Sequence, residues 1–293
     1  MVDLHTHSTA SDGTWPPGRI VEEAVRVGLR AVGLTDHDSV DGNAELVDAG
    51  RALGVAVVPG VEISTRWNGV TFHLLGYGID PRIPEVKAAF DRLARSREAR
   101  APRMIARLRD LGIPITLEEV RAEAGAALVG RPHVARVLVR KGVVRDVQQA
   151  FDRLLGRGRP AYVDKDRLDP AEACRTIRRA GGVAVLAHPG LIEEDAPGLL
   201  RPLLDHLVEL GLEGIEAYYS RHTREQQERY RSLAARRDLL VTGGSDFHEP
   251  GSDGPALGTG YGSLHVPDAC FEALARRLED RRPELGPVLK PGL

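Results

Sequence analysis

Seven short apolar runs, rich in β-branched residues, punctuate this 293-residue chain, and most of them have a histidine or a carboxylate at or within a few positions of their ends. They fall at residues 2–5, 31–35, 56–63, 70–77, 183–187, 214–218 and 239–242, each with the length and composition of a strand. Amphipathic stretches at 17–27, 43–53, 170–180, 198–210 and 223–236 separate most of them and read as helices. Pro16-Pro17 opens the first of these and Gly54 closes the second. Short strands alternating with helices predict an α/β architecture, and the length allows one large barrel with or without a small second domain. With 42% hydrophobic residues a sizeable core can be buried. No apolar run approaches the ~20 residues that span a bilayer.

From 83 to 158 the strand signal disappears. An arginine-rich helical pattern replaces it, broken at Gly112-Ile113-Pro114 and Gly130-Arg131-Pro132. The expected organisation is a barrel of residues 1–80 and 161–293, with a helical insertion at 81–160 between the fourth and fifth strands. The net charge of −2 excludes no partner, but it is unevenly spread: 18 Lys/Arg stand against 9 Asp/Glu in 81–160, and 22 against 33 elsewhere. Such a basic segment is either a set of solvated helix faces or a wall facing an anionic substrate. Cys174 and Cys270 lack metal-type spacing and are expected to be packing residues. The opening MVDLHTHS has neither the charged lead nor the apolar stretch of a secretory signal, which points to the cytoplasm.

One hairpin is legible in detail. Asn68-Gly69 is a strong two-residue turn signal, and with it at the tip Trp67 pairs with Val70 and Ser64 with His73. Alternation along the strand then puts Glu62 on the same face as Ser64 and His73. Glu62 and His73 become diagonal neighbours, close enough to share a metal ion.

Other potential ligands cluster at strand ends. His5 and His7 close the first strand with the i,i+2 spacing that puts both imidazoles on one face, and Asp12 follows in the next loop. Asp36-His37-Asp38 ends the second strand, His188 the fifth, and Asp246 and His248 follow the seventh. In a β/α barrel the C-terminal strand ends form one rim, where chemistry is sited. Imidazoles and carboxylates without thiolates suit Mn, Fe or Zn better than Mg or Ca. Nine such residues are too many for one divalent ion and suit two or three, with Glu62 as a bridge. A cluster of this kind activates a bridging water and clamps a phosphoryl group.

The runs DLHTHS with SDG, LTDHD, VEIS, FHLLGYGID, LAHPG and GGSDFH, from Asp3 to His248, resemble the PHP (polymerase and histidinol phosphatase) family of metal phosphoesterases. The resemblance implies a distorted seven-stranded (β/α) barrel, in line with the seven runs counted above. HLLGYGID together with GRPHVARVLV in the insertion resembles the stand-alone branch, which contains nucleoside 3′,5′-bisphosphate (pAp) phosphatases and 5′→3′ exonucleases of short RNA. It further implies a trinuclear Mn, Fe or Zn cluster. His5, His7, Glu62 and Asp246 would hold one ion, Glu62, His73 and His188 the second, and Asp12, His37 and His248 the third. Asp36 and Asp38 are left over. One is expected to orient a neighbouring imidazole, with a loop cap as the alternative.

Arg131, His133, Lys165, Arg221 and His222 are candidate substrate contacts. The arginines and the lysine would bind phosphate, and His133 or His222 would protonate the leaving oxygen. Asp246 is expected to serve catalysis as well as the metal. His206 and His265 are expected to be structural or surface residues. The implied reaction is in-line attack by a metal-bridged hydroxide on a phosphate ester of a nucleotide, or on short RNA from its 5′ end. Partners other than such a small phosphorylated substrate, a membrane or an obligate protein, are not indicated.

Rivals are weaker. Asp12-Gly13-Thr14 lacks the aspartate nucleophile two residues earlier, where Ala10 stands, and Gly243-Gly244-Ser245-Asp246-Phe247 lacks the closing glycine of a serine-hydrolase elbow. No phosphate-cradling glycine loop follows a strand. A phosphatase of histidinol phosphate or a sugar phosphate, a C–N amidohydrolase and, last, a non-catalytic polymerase-associated module remain as alternatives.

Overall fold

A computed structural model describes residues 1–125, 129–251 and 254–289. Seven strands form one sheet in sequence order: β1 (Val2–Asp3), β2 (Ala31–Leu34), β3 (Ala56–Trp67), β4 (Val70–Tyr77), β5 (Val183–Leu186), β6 (Gly214–Tyr219) and β7 (Leu240–Gly244). Neighbours are parallel except around β4, which is antiparallel to both β3 and β5. The cause is local. Asn68 and Gly69 take φ of 47° and 79°, the left-handed pair that a tight hairpin turn requires, so β4 doubles back instead of crossing over through a helix. The turn sets the predicted register, Trp67 opposite Val70 and Ser64 opposite His73.

The sheet nearly closes into a barrel. Beyond β1 the backbone N–H of Leu4 donates to Gly243 O (3.0 Å), Asp246 N–H to His5 O (2.8 Å), and His7 N–H to Phe247 O (2.8 Å). A side chain at Gly244 would collide with the His5 backbone, so glycine permits this approach. Closure brings the residues just past β1 against those just past β7, 240 positions away in sequence. Reversal of β4 has a second effect: its entry end shares a rim with the exit ends of the parallel strands. His73 therefore joins the residues at that rim.

Helices cover the barrel in two apolar clusters. Under α1 (Pro17–Arg26), α2 (Asn43–Leu53) and α11 (Asp268–Arg281) lie Ile20, Leu46, Phe271 and Leu274. Under α7 (Pro170–Arg179), α9 (Leu200–Glu209) and α10 (Arg224–Ala235) lie Ile177, Leu203 and Tyr230. A third cluster is built from α3 (Pro84–Asp110), α4 (Leu117–Ala124), α5 (Arg131–Arg140) and α6 (Val147–Ala150), with Met104, Leu108, Val134 and Leu138 at its centre. Helix α3 belongs to both: Phe90 and Leu93 pack on the barrel, Ala101 to Leu108 in the third cluster. Pro102, which cannot donate a backbone hydrogen bond, sits at the handover. A short helix, α8 (Pro189–Asp195), follows β5. No helix among the described residues is long and apolar enough to cross a membrane.

Candidate metal centre and substrate cleft

Glu62 is the hub. Its Oε1 lies 2.7 Å from His73 Nδ1 and 2.9 Å from His188 Nε2. Its Oε2 lies 2.8 Å from His37 Nδ1, 3.3 Å from His7 Nε2 and 3.5 Å from His5 Nε2. Both oxygens of one buried carboxylate are thus shared among five imidazoles, one on β4 and the others just past β1, β2 and β5. Asp246 Oδ1 faces the same two first-strand rings, 3.4 Å from His5 Nε2 and 3.0 Å from His7 Nε2. On the outer side His248 Nε2 is 3.5 Å from Asp12 Oδ1, and the His7 and His248 rings stack with centroids 4.0 Å apart.

Three groups have the compactness of a metal site: His5, His7, Glu62 and Asp246; His7, Asp12, His37 and His248; and His37, Glu62 and His73. His188 adjoins the last through Glu62, with its Nε2 3.3 Å from His73 Nδ1. All nine residues singled out from the sequence therefore meet in one place. Among the described residues, His5 Nε2, both ring nitrogens of His7, His37 Nδ1, His188 Nδ1 and Glu62 Oε2 are buried without a hydrogen-bond partner. Leaving one such group unsatisfied costs ~1–3 kcal/mol, so several of them gathered around Glu62 suit the binding of a cation. The donor set fits borderline metals.

Electrostatics agree. Burial and the neighbouring His248 and His37 push His7 down to about 3, so it is a neutral imidazole with a lone pair to offer. Burial works against ionised Glu62, but His37, His73 and His5 outweigh it and hold the carboxylate well below its usual range. Burial would also lower His5, yet Glu216, Asp246 and Glu62 raise it well above the usual value. The backbone is strained at this rim: Asp38, His188 and Asp246 hold φ of 53°, 27° and 60°, left-handed values rare outside glycine.

Glu216 is the residue that sequence reasoning missed. Fully buried in β6, it takes His5 Nδ1 at 2.9 Å on Oε1 and accepts the His188 backbone N–H at 2.7 Å on Oε2. That contact commits His5 Nδ1 and leaves Nε2 to the cluster. A lone glutamate inside the apolar strand GIEAYY was the available signal. The expectation that Asp36 or Asp38 orients an imidazole is corrected. Asp36 accepts from Ser8 N–H, Ser8 Oγ and Ser11 Oγ at 2.8, 2.6 and 2.5 Å and shapes the loop before Asp12. Asp38 accepts from Ser64 N–H at 2.8 Å and pairs with Lys165. Asp3, also buried, accepts from Ser245 and Gly258 N–H (2.8 Å each) and ties the β1 end to the loops after β7.

A cleft opens beside the cluster, floored by Asp12, His37, His73 and His248 and walled by Arg97, Arg100, Arg131, Lys165, Arg167 and Phe151. Arg131 is held between two rings, its guanidinium carbon 5.4 Å from the Phe151 centroid and 5.8 Å from that of Tyr162. Arg97 donates to His37 O (2.9 Å) and lies 3.7 Å from Asp38, while Arg167 pairs with Asp164. Arg100 and Arg131 have no ion pair among the described residues. Burial, aided by Arg131 and Arg97, lowers Arg100 to about 9. Burial likewise lowers Lys165 to about 8 despite the pull of Asp38.

The remaining substrate candidates lie elsewhere. His222 uses both ring nitrogens on backbone, Nδ1 at 2.9 Å from Ala217 O and Nε2 accepting from Gly190 N–H at 3.1 Å. His133 Nδ1 accepts from Gly130 N–H at 2.9 Å and caps α5, and burial pushes this ring down to about 4. Arg221 is exposed and pairs with Glu194 (3.2 Å). None of the three lines the cleft. His206 stacks on Trp67 and His265 is exposed.

Residues 3–114 match the family described as PHP domain. The chain is 36% identical over 249 residues to a 5′-3′ exoribonuclease of Haemophilus influenzae, covering 85% of this chain and 90% of that one. It is 34% identical to a 3′,5′-nucleoside bisphosphate phosphatase of Chromobacterium violaceum, covering 88% and 90%. A crystal structure from Bifidobacterium adolescentis assigned to the metal-dependent phosphoesterases superposes with a TM-score of 0.82 at 33% identity, covering 94% of this chain and 96% of that one.

Proposed function

The chain belongs to the PHP family and is a metal-dependent phosphoesterase, a hydrolase of phosphoric ester bonds; from that premise we propose that it acts on nucleotides carrying more than one phosphate. The substrates we assign are a 3′,5′-bisphosphonucleotide such as pAp and 5′-phosphorylated short RNA. One observation carries this reading. Arg100, buried, and Arg131, half-buried, have no carboxylate partner among the described residues and are set in the same cleft as the cluster. A buried cation without a counter-charge is costly, and an anionic group of the substrate would supply one. A phosphate beside the cluster and a second on these arginines describe a bisphosphate.

In this reading His5, His7, Glu62 and Asp246 hold one Mn, Fe or Zn ion, Glu62, His73 and His188 a second, and Asp12, His37 and His248, with His7 beside them, a third. When bound, the metals supply Lewis acidity and positive charge to the phosphoryl group. Glu216 fixes the His5 tautomer, and Tyr219 Oη, donating to Asp246 Oδ2 at 3.1 Å, holds that carboxylate. Arg131, stiffened between two rings, and Arg100 fix the distal phosphate. Lys165, able to give up a proton near neutral pH, replaces His133 and His222 as our proton donor to the leaving oxygen. Residues 81–160 act as the insertion that supplies the arginine wall. The unpaired thiols Cys174 and Cys270, both buried and pushed up by burial, to about 11 and 12, are in keeping with our placement in the cytoplasm.

Purified protein loaded with Mn²⁺ should release phosphate from pAp or mononucleotides from short RNA, and Arg131→Ala should raise KM for pAp roughly tenfold, the worth of one charge-assisted contact. Robust amide hydrolysis without phosphatase activity would overturn the assignment.

A further inference from the structure

The cleft measures about 240 Å³, below the ~300–1,000 Å³ of typical small-molecule sites, which is room for one phosphorylated unit. It is not closed. Thr71, Arg131 and Arg167 line it and also line an adjoining groove of about 380 Å³, whose other walls are Val70, Arg157, Tyr162 and Asp195. A different groove shares Lys165 and Arg167 with the cleft, but its cations are answered: Arg66 pairs with Asp164 and Arg92 with Glu172, each at 2.8 Å, and Asp166 and Asp169 add negative charge. The first groove presents the guanidiniums of Arg131 and Arg157, neither in an ion pair among the described residues, and that of Arg167, which Asp164 answers, with one further carboxylate, Asp195, and an aromatic ring.

We propose that this first groove is a second nucleotide subsite, which receives the next nucleotide of a single-stranded oligonucleotide whose terminal unit occupies the cleft. The proposal rests on the reading that the cleft binds a phosphorylated nucleotide. Arg157 is placed for the connecting phosphate: its guanidinium donates to the carbonyl of Gly69 at the hairpin tip, which holds it at the groove wall. Tyr162 is anchored through its hydroxyl to Asp164 (2.9 Å) and exposes part of its ring. Arginines that track a backbone beside a ring on which a base can stack are how proteins hold single strands without reading their sequence. Asp195, the last residue of α8, faces this path and opposes it by charge.

The test uses the Mn²⁺-loaded full chain with pAp and with a 5′-phosphorylated RNA trinucleotide. Arg157→Ala should lower kcat/KM for the trinucleotide roughly tenfold and leave pAp within about twofold, since a single lost contact is worth about one decade. Asp195→Asn should raise kcat/KM for the trinucleotide alone. Salt should weaken trinucleotide turnover more steeply than pAp turnover, and Arg157→Ala should shrink that difference. Equal effects on both substrates, or none on either, would overturn the subsite. Turnover of pAp without turnover of the trinucleotide would remove the subsite and leave the nucleotide reading standing. If wild type cleaves neither but hydrolyses another phosphate ester, the nucleotide reading fails and takes the subsite with it.

Discussion

Glu216 and Lys165 show how much of this site is set by side chains outside the His/carboxylate cluster itself. Glu216 commits His5 Nδ1 and the His188 backbone at once, so it positions two residues of the cluster. Glu216→Gln keeps the size but loses the charge, and metal affinity should fall about 10–100-fold with the fold retained; a metal titration with an unchanged midpoint would exclude this role. Lys165 is lowered chiefly by burial, then by Arg97 and Arg100. A proton donor works only while protonated, so kcat should decline as pH rises through about 8. Lys165→Arg, whose guanidinium stays charged, should cost ~10²-fold or more in kcat and abolish that alkaline limb. A pH–rate profile in which the limb survives would assign it to another group. Sequence could place Lys165 near the rim but could not show that Asp38 and Ser64 hold it there.

At the scale of elements, the β3–β4 hairpin was legible to the residue, because turn chemistry and side-chain alternation are local rules. The α5 N-terminus was not. His133 sits in a basic helix next to Arg131 and looks like a cleft residue in sequence, yet its ring turns back to cap Gly130 N–H. Its folded-state pKa of about 4 lies below the ordinary 6.5, so the unfolded chain takes up this proton first. The stability it contributes is present above pH 6.5 and is lost as pH falls toward 4. His133→Gln, which preserves an acceptor three residues into the helix, should retain activity and flatten that acid loss by ~1–3 kcal/mol. Urea midpoints between pH 7 and 4.5 measure the difference; collapse of activity in the variant would return His133 to catalysis. The straddling of α3 was equally hidden, since its apolar periodicity does not change where its packing partners do.

Across the whole molecule the cluster works as a staple. Its residues run from His5 to His248 and lie on or just past every strand except β6, which contributes Glu216 behind them. Ions that bind only the native chain should stabilise it by about 2.7 kcal/mol at a hundred times Kd. Chelation should therefore lower the melting temperature by several degrees, and Mn²⁺ should restore it; a melting curve indifferent to metal would mean that the ligands do not bind as a set. By itself the sequence determined the seven strands, their helices, the hairpin register and the nine residues that meet at one rim, because strand periodicity, turn residues and ligand chemistry are written within a few positions of one another. Only the tertiary structure decided which charged residues face the cleft: Arg97, Arg100 and Arg167 do, and Arg221, His133 and His222 do not. Which way a helix turns its charged side depends on what packs against the other side, and that is settled by contacts far away in the chain.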